Sequence, residues 1–325
     1  MNPLSFAILR RLGDGEFHSG EKIAAHFGIT RASVWHALKP LNELGVEIFR
    51  VPGRGYRLRN PVEWLESRRI ADALGGKSVL FNLEILDLAD STNRVLMQKA
   101  ALGAVAGSCV LAEMQTAGRG RRGRNWLAGL GGGLTFSLLW RFEQGAAFVS
   151  GLSLVVGVAV VRVLRAAGLR DAVLKWPNDV LCQNRKLAGI LIEMQGDLTG
   201  PCAVVIGIGL NLRLEPALLE QIDQPVADMY TFTQRMPGRN ALMAAILLQL
   251  ADVLAEFGQS GFSVLRDEWR NYHCHHGERV RLMMPNGMQV EGKVLDVAED
   301  GALLLETGEG RMRYTSGEVS LRGIS

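Results

Sequence analysis

"LKWPNDVLCQNRKLAGILIE", residues 174–193, reads as strand, turn, strand, hairpin tip and strand. The turn falls at Pro177-Asn178, because proline presets φ and the asparagine side chain bonds its own backbone. Gln183 to Arg185 make a polar tip, and Leu187 to Ile192 form an apolar strand of the kind buried on both faces. Lys186 opens that strand. A lysine there either snorkels to the surface or is a cation held in a cleft.

Working outward, strand-like runs (Val79–Leu86, Gly107–Glu113, Gly133–Trp140, Val204–Ile208) alternate with helical patterns (Asn93–Ala101, Phe148–Ala167, Asn240–Phe257). The segment from about 78 to 270 is therefore expected to be a mixed α/β or α+β sheet domain. Phe148 to Leu164 is the most apolar stretch. Its interruptions at Ser150, Gly151, Ser153 and Arg162 leave it short of the ~20 residues a membrane span needs, so it reads as a buried helix.

Three further stretches have chemical character. "GRGRRGRNW" (118–126) alternates arginine with glycine and ends on Trp126. A solvated basic patch or nucleic-acid loop is one reading. Glycine is costly to order, which favours a backbone wrapped round a small anion or a lid that orders on a phosphate-bearing ligand, with Trp126 covering an apolar part. The spacing is not that of a P-loop. "IGIGLNL" (206–212) ends an apolar strand with two glycines and Asn211, by close packing or because something approaches that backbone. "DSTN" (90–93) opens a helix, where Asp90 or Ser91 caps it or where hydroxyls and N-terminal amides hold a polar head group.

The flanks differ from this centre. "GEKIAAHFGITRASVWHALKPLNELG" (20–45) reads as helix, tight turn at Gly28–Thr30 and a second helix capped by Thr30, and "VEIFRVPGRGYRL" (46–58) as a basic-tipped hairpin. Together with a helix near Leu4–Leu12 they make a winged helix-turn-helix. Residues 1–60 carry nine Lys/Arg against five Asp/Glu, whereas the rest of the chain carries 27 against 28, so the basic surface is N-terminal. Arg31, Ser33, Arg50, Arg54 and Arg57 fall where DNA would be met if the second helix entered a major groove. Pro40 within that helix should kink it or end it early. After Asn60-Pro61, "PVEWLESRRIADALG" reads as a linker helix. From Gly277 short strands with turns at Pro285–Gly287, Glu299–Gly301 and Gly308–Gly310 indicate a small β-barrel. Cys109, Cys182, Cys202 and Cys274 are dispersed without a CxxC pair, which argues for a reduced, cytoplasmic setting with no zinc site.

With these residues in view, the chain resembles the biotin protein ligases, specifically the larger bacterial kind that also represses the biotin operon. The resemblance spans the chain and rests on "GRGRRGRNW", "KWPNDV…RKLAGILIE", "DSTN" and "GIGLNL". It implies an α+β multidomain protein: a winged helix-turn-helix over 1–60, a linker helix over 61–77, a mixed α/β sheet catalytic domain of the biotin/lipoate ligase type over 78–273, and an SH3-like β-barrel over 274–325. It implies biotin and ATP as substrates, Mg2+ arriving on the nucleotide's phosphates, and biotinyl-5'-AMP as intermediate. In that resemblance Ser91, Thr92, Asn93 and Gln115 surround the biotin ureido ring, and Gly118, Arg119, Gly120 and Arg121 fold over biotin and the adenylate phosphate. Arg124 and Trp126 join the adenylate side, Asn211 reads the adenine edge, and Lys186 lies between carboxylate and α-phosphate. Lys186 and Arg121 are then the catalytic pair, and Asp179 positions the acceptor lysine or the loop.

The implied partners are the biotin carboxyl carrier protein of acetyl-CoA carboxylase, operator DNA, and a second copy of the chain once adenylate is bound. Asp223–Gln234 looks like a second adenylate-covering loop. A lipoate or octanoate ligase is disfavoured because ureido-binding groups would have no purpose there. A nucleotide-sensing transcription factor without ligase activity is disfavoured by Lys186 and an undegraded arginine loop, since sensing needs no cation at a reacting junction.

Overall fold

The computed structural model describes residues 2–196, 200–233, 235–284, 287–315 and 320–323. Helices α1 (Pro3–Arg11), α2 (Gly20–Phe27) and α3 (Arg31–Glu43) precede an antiparallel hairpin of β1 (Ile48–Val51) and β2 (Gly55–Leu58). Thr30 caps α3 by accepting from Ser33 N–H, and Gly28, at φ 63°, ends α2. Phe6, Leu9, Ile23, Val34, Leu38 and Leu41 form the small core that the helical spacing anticipated. Pro40 does not end α3 early, for the helix runs on to Glu43. Its missing N–H removes one bond from the last turn, and the helix ends three residues on.

The expected linker helix is confined to α4 (Ser67–Leu74), and Gly75–Leu80 winds as a 3-10 turn. Its Ile70 and Leu74 are buried in the main core, so α4 packs into the central unit rather than bridging to it. The next strand consequently starts at Asn82 instead of Val79, leaving Val79 and Leu80 exposed.

The central unit runs β3 (Asn82–Ala89), α5 (Thr92–Ala101), β4 (Ser108–Gln115), the short hairpin β5 (Gly118–Arg119) and β6 (Asn125–Trp126), β7 (Gly133–Phe142) and α6 (Leu152–Ala166). It continues with β8 (Ala172–Lys175), β9 (Asp179–Cys182), β10 (Arg185–Gly196), β11 (Cys202–Asn211), α7 (Pro216–Leu219), α8 (Met229–Phe232), α9 (Arg239–Ser260) and α10 (Arg266–Tyr272). Seven strands form one sheet in the order β3-β4-β7-β11-β10-β9-β8, parallel between β3 and β4 and antiparallel elsewhere. This is the mixed sheet expected from the pattern.

Both faces are covered, which is why the strands read as continuous apolar runs. Val204, Ile206 and Ile208 of β11 face the larger core with α6 and α9, whereas Ala203 and Val205 face Leu96 and Ala100 of α5. Ala146–Ala166 and Arg239–Tyr272 are each long and apolar enough to cross a membrane, so the first run is longer than its interruptions implied. Both contribute heavily to the core instead, and α6 packs on α9.

A five-stranded antiparallel sheet closes the chain, in the order β15 (Gly310–Tyr314), β14 (Leu303–Thr307), β13 (Gln289–Val297), β12 (Arg279–Met283) and β16 (Ser320–Gly323). Of the expected turn at Pro285–Gly287, Pro285 and Asn286 lie outside the described residues, as does Gln234. The turn before β14 docks on the central unit: buried Trp176 donates its indole N–H to Gly301 O at 3.0 Å. That contact explains the tryptophan of the Lys-Trp-Pro-Asn-Asp stretch.

Candidate active site

The α5 face of the sheet builds the site by alternation. The register sets Ser137 opposite Gly207 and Thr135 opposite Gly209, and sets Leu191 opposite Gly207 and Gly189 opposite Gly209. One row across β7, β11 and β10 thus changes from aliphatic side chains under α5 to hydroxyls and glycines beyond its N-terminus. The glycines are needed for close approach. A Cβ on Gly207 would lie 2.2 Å from Asn93 Oδ1, and one on Gly209 would lie 2.3 Å from the Trp126 indole. Both approaching groups are side chains of this chain.

A connected polar floor follows. Thr92 N–H donates to Gln115 Oε1 at 2.7 Å, and Ser137 Oγ donates to Asn93 Oδ1 at 2.5 Å and lies 2.8 Å from Thr92 Oγ1. Asn93 Nδ2 donates to Glu193 Oε2 at 2.8 Å, and Glu193 Oε1 pairs with Arg119 at 2.9 Å. Ser91 occupies the α5 cap position without using its hydroxyl as a cap, while Asp90 accepts from Ser91 N–H and pairs with Arg94. The helix start is therefore satisfied by Asp90 and Gln115, which leaves the Ser91 hydroxyl outside the capping role.

Above this floor lies the arginine stretch as a tight hairpin. Gly118 pairs with Trp126 and Arg119 with Asn125, Gly120 N–H donates to Arg124 O at 2.7 Å, and Arg122 (φ 58°) and Gly123 (φ 73°) turn the tip. A Cβ on Gly118 would stand 2.4 Å from Trp126 O, so the hairpin closes only on glycine. Arg121 reaches inward, and its Nη1 donates to Asn178 Oδ1 at 3.0 Å. Burial pushes the Arg121 pKa down, Asp179 opposes that, and Arg124 and Arg122 add to it. The guanidinium stays charged regardless. Arg124 is exposed at the cavity rim.

Lys186 owes its position to a β-bulge. The β10–β9 register slips between Lys186 and Ala188, with Leu187 buried as the extra residue, and such bulges re-aim a side chain. Lys186 stays opposite Leu181 of β9, and its backbone also bridges to the 225–227 segment, donating to Pro225 O and accepting from Ala227 N–H, each at 2.9 Å. Its Nζ pairs with Asp179 Oδ1 at 2.8 Å and lies 5.9 Å from the Trp126 ring centroid.

These parts line one cavity of about 1010 Å3, together with Gln221–Pro225 and with Cys274, His275 and Glu278 from the approach to the C-terminal sheet. Ser91, Thr92, Asn93, Gln115, Arg119, Gly120, Arg121, Arg124, Trp126, Asp179 and Lys186 all meet there. Gly118 and Asn211 do not line it. Asn211 was expected at a ligand edge, but it is 3% exposed and donates to Ala227 O at 3.0 Å. Sitting where the 225–228 segment crosses the end of β11, it holds that segment's backbone. Ser137, Glu193 and Asn178 were missed by sequence reading. For Ser137 and Glu193 the signal available was a polar residue interrupting an otherwise apolar strand, whereas Asn178 sits in the turn between β8 and β9.

In the N-terminal unit Arg31 is exposed and pairs with Glu21 at 3.0 Å, and Ser33 Oγ lies 2.9 Å from Thr30 Oγ1. Arg50 is exposed on β1, and Arg54 at the hairpin tip stacks 4.1 Å from the Phe17 ring.

Comparison with known proteins shows the family. Residues 86–211 match the model of the biotin/lipoate A/B protein ligase family, 275–322 that of the biotin protein ligase C-terminal domain, and 5–57 an HTH domain. The bifunctional ligase/repressor BirA of Escherichia coli K12 is 35% identical, covering 99% of this chain and 98% of that protein. That of Bacillus subtilis is 32% identical over 94% of each. The structure of the Aquifex aeolicus biotin protein ligase in complex with biotin and ATP superposes with a TM-score of 0.64 at 32% identity, covering 75% of this chain and 99% of that one. With a DNA-binding unit, a ligase sheet and a closing small domain in the same order as a full-length relative, this chain belongs to the biotin protein ligases of the bifunctional ligase/repressor kind.

Proposed function

We propose that this chain joins biotin to ATP, giving biotinyl-5'-AMP and pyrophosphate, and passes the biotinyl group to a lysine of the biotin carboxyl carrier protein. The observation that carries this is the convergence, in one cavity, of a hydroxyl and amide floor with Lys186 and Arg121 beneath an arginine hairpin. A ureido ring offers one carbonyl and two N–H groups, which Ser91, Thr92, Asn93 and Gln115 can answer. Joining a carboxylate to a phosphate brings two anions together, so charge on the α-phosphate needs a cation placed in advance. Lys186 supplies a point charge, Arg121 and Arg119 supply planar forks, and Arg124 and Trp126 take the nucleotide side. Gly118 and Gly120 let the hairpin close, and closure keeps water from the anhydride. Asn211 reads the adenine edge from the place where its amide also holds the 225–228 segment. Mg2+ enters on the phosphate oxygens of ATP.

The winged unit serves repression of biotin genes, with Arg31, Ser33, Arg50 and Arg54 on operator DNA and two adenylate-bound chains meeting as a homodimer in the cytoplasm. The chain divides for these tasks at 1–60, 61–77, 78–273 and 274–325, with 61–77 structurally part of the ligase unit.

Mass spectrometry of a purified carrier domain, after incubation with the protein, Mg-ATP and biotin, tests the ligase. One biotinyl group on one lysine is expected, and Arg121→Gly should spread labelling to bystander proteins because the adenylate escapes. No labelling, with biotin-dependent DNA binding intact, would leave only a sensor.

Gly207→Ala tests the floor. Its Cβ would displace Asn93 from the position 2.2 Å away and break the link to Ser137 and Glu193. A loss on the order of 10²-fold in kcat/KM for biotin is expected from misplacement on this scale. Pyrophosphate exchange at varied biotin measures it, and a change under about twofold would mean the floor tolerates a shift.

A further inference from the structure

The segment joining α10 to β12 enters the active cavity. His273 pairs with Leu174 of β8 in a parallel bridge, and Cys274 N–H donates to Leu174 O at 2.8 Å. This sets the segment beside the turn that carries Lys175 and Asp179, and Cys274, His275 and Glu278 line the cavity with Lys186. His275 Nδ1 lies 3.0 Å from Glu278 Oε2, with the imidazole 14% exposed and the carboxylate 60% exposed. A carboxylate accepts only, so Nδ1 carries the hydrogen and the lone pair is on Nε2, an assignment made from the hydrogen-bond partner.

Transfer to a lysine has a requirement that adenylate formation lacks. With an ordinary pKa near 10.4, an acceptor lysine is neutral in only about one molecule in 10³ at pH 7, so a base must take its proton. Asp179, the carboxylate the sequence offered for that amine, is already the ion-pair partner of Lys186. The other titratable groups around His275 are poorly placed for the task. Cys274 is pushed up to about 12, chiefly by burial, and His273 is buried, stacked on Trp269 and pushed down to about 3. His276 is exposed and does not line the cavity. Lys175 beside the segment, and Arg121 and Lys186 across the cavity, are cations and offer no base.

We propose that His275, oriented by Glu278, is the general base that deprotonates the acceptor lysine in the second half-reaction, a role that rests on the ligase reading above. The ε-ammonium gives one proton to His275 Nε2. The freed nitrogen pair forms the C–N bond to the biotinyl carbonyl carbon, and the carbonyl carbon's bond to the phosphate oxygen breaks with its electrons staying on AMP. The second nitrogen proton leaves to AMP or water, completing the amide.

The test uses the full chain loaded with biotinyl-5'-AMP in single turnover, against saturating carrier domain and, separately, against 2,2,2-trifluoroethylamine, an amine already neutral at pH 7. In His275→Gln the transfer to carrier lysine should fall about 100-fold relative to the rate of adenylate formation, the scale of a lost general base. The deficit should shrink as pH rises towards the lysine's own titration, and trifluoroethylamine should react at close to the wild-type rate. Glu278→Gln should give a smaller loss of about 10-fold with the same amine dependence. Equal losses for both amines would overturn the proposal in favour of a packing role, as would transfer to lysine within threefold of wild type. Pyrophosphate release in the first half-reaction reports that each variant is folded. Failure of the wild type to form adenylate would sink the ligase reading itself, a different result from any of these.

Discussion

Lys186→Met should slow adenylate formation on the order of 10²–10³-fold, the cost of removing one preorganised group from a developing charge, while biotin binding without ATP changes far less. The reason lies in how the lysine is held. The bulge before Ala188 turns it out of the strand, the 225–227 segment fixes its backbone on both sides, and Asp179 grips Nζ at 2.8 Å. At 15% exposure the ammonium is screened from bulk water, so its charge acts at low effective dielectric. Before ligands arrive, Asp179 keeps that charge compensated. When the carboxylate and α-phosphate come together they add negative charge beside an ammonium that Asp179 still holds, and the lysine meets them without having to be repositioned. Because this interaction grows as charge builds on phosphorus, its loss falls on kcat more than on KM. Biotin-dependent ATP–pyrophosphate exchange measures it. A Lys186→Met rate within about threefold of wild type would remove the lysine from the junction and shift the burden to Arg121.

The pattern of the sequence made Lys186 visible but not its mechanism. A cation opening an apolar strand stood out, whereas the bulge that aims it depends on Leu187 being buried as an extra residue, which alternation alone does not reveal. Gly207 and Gly209 announced a close approach without naming what approaches, because Asn93 and Trp126 come from distant points in the chain. The seven-stranded sheet was legible from its apolar runs and the winged unit from its helical spacing and caps, since both signals are local. Asn211 shows the opposite limit. Its neighbours mark it as a possible ligand contact, and the crossing of the 225–228 segment, which takes its amide at Ala227 O, has no signature in the sequence. His275 and Glu278 reach the cavity through the docking of α10 on β8, a tertiary event with no local signature.

Replacing Arg239 with Met should destabilise the central unit by about 3–5 kcal/mol, the range for breaking one side of a buried ion pair. Arg239 opens α9, and its Nη1 lies 2.7 Å from Glu113 Oε2, the two side chains being 4% and 0% exposed. The pair serves a backbone need. Residues 61–66 run from the winged unit to α4 without strand partners, and polar groups buried there must find other acceptors and donors. Glu113 Oε1 takes Leu65 N–H at 2.7 Å, Arg239 Nη1 donates to Glu63 O at 2.7 Å, and Asn240 takes Glu66 N–H at 2.8 Å while donating to Trp64 O at 2.9 Å. Arg239 Nη2 also donates to Gly133 O at 3.2 Å, where β7 enters the site row. Without the guanidinium, Glu113 is a buried charge with one remaining partner. Glu113→Gln in the Arg239→Met background removes that charge and should restore part of the loss, so the double variant should be more stable than Arg239→Met alone. Urea denaturation followed by the fluorescence of the central-unit tryptophans reads both. A loss under about 1 kcal/mol, or a double variant less stable than Arg239→Met, would mean that water satisfies this junction and that the ion pair is not what ties the winged unit's exit to the ligase sheet.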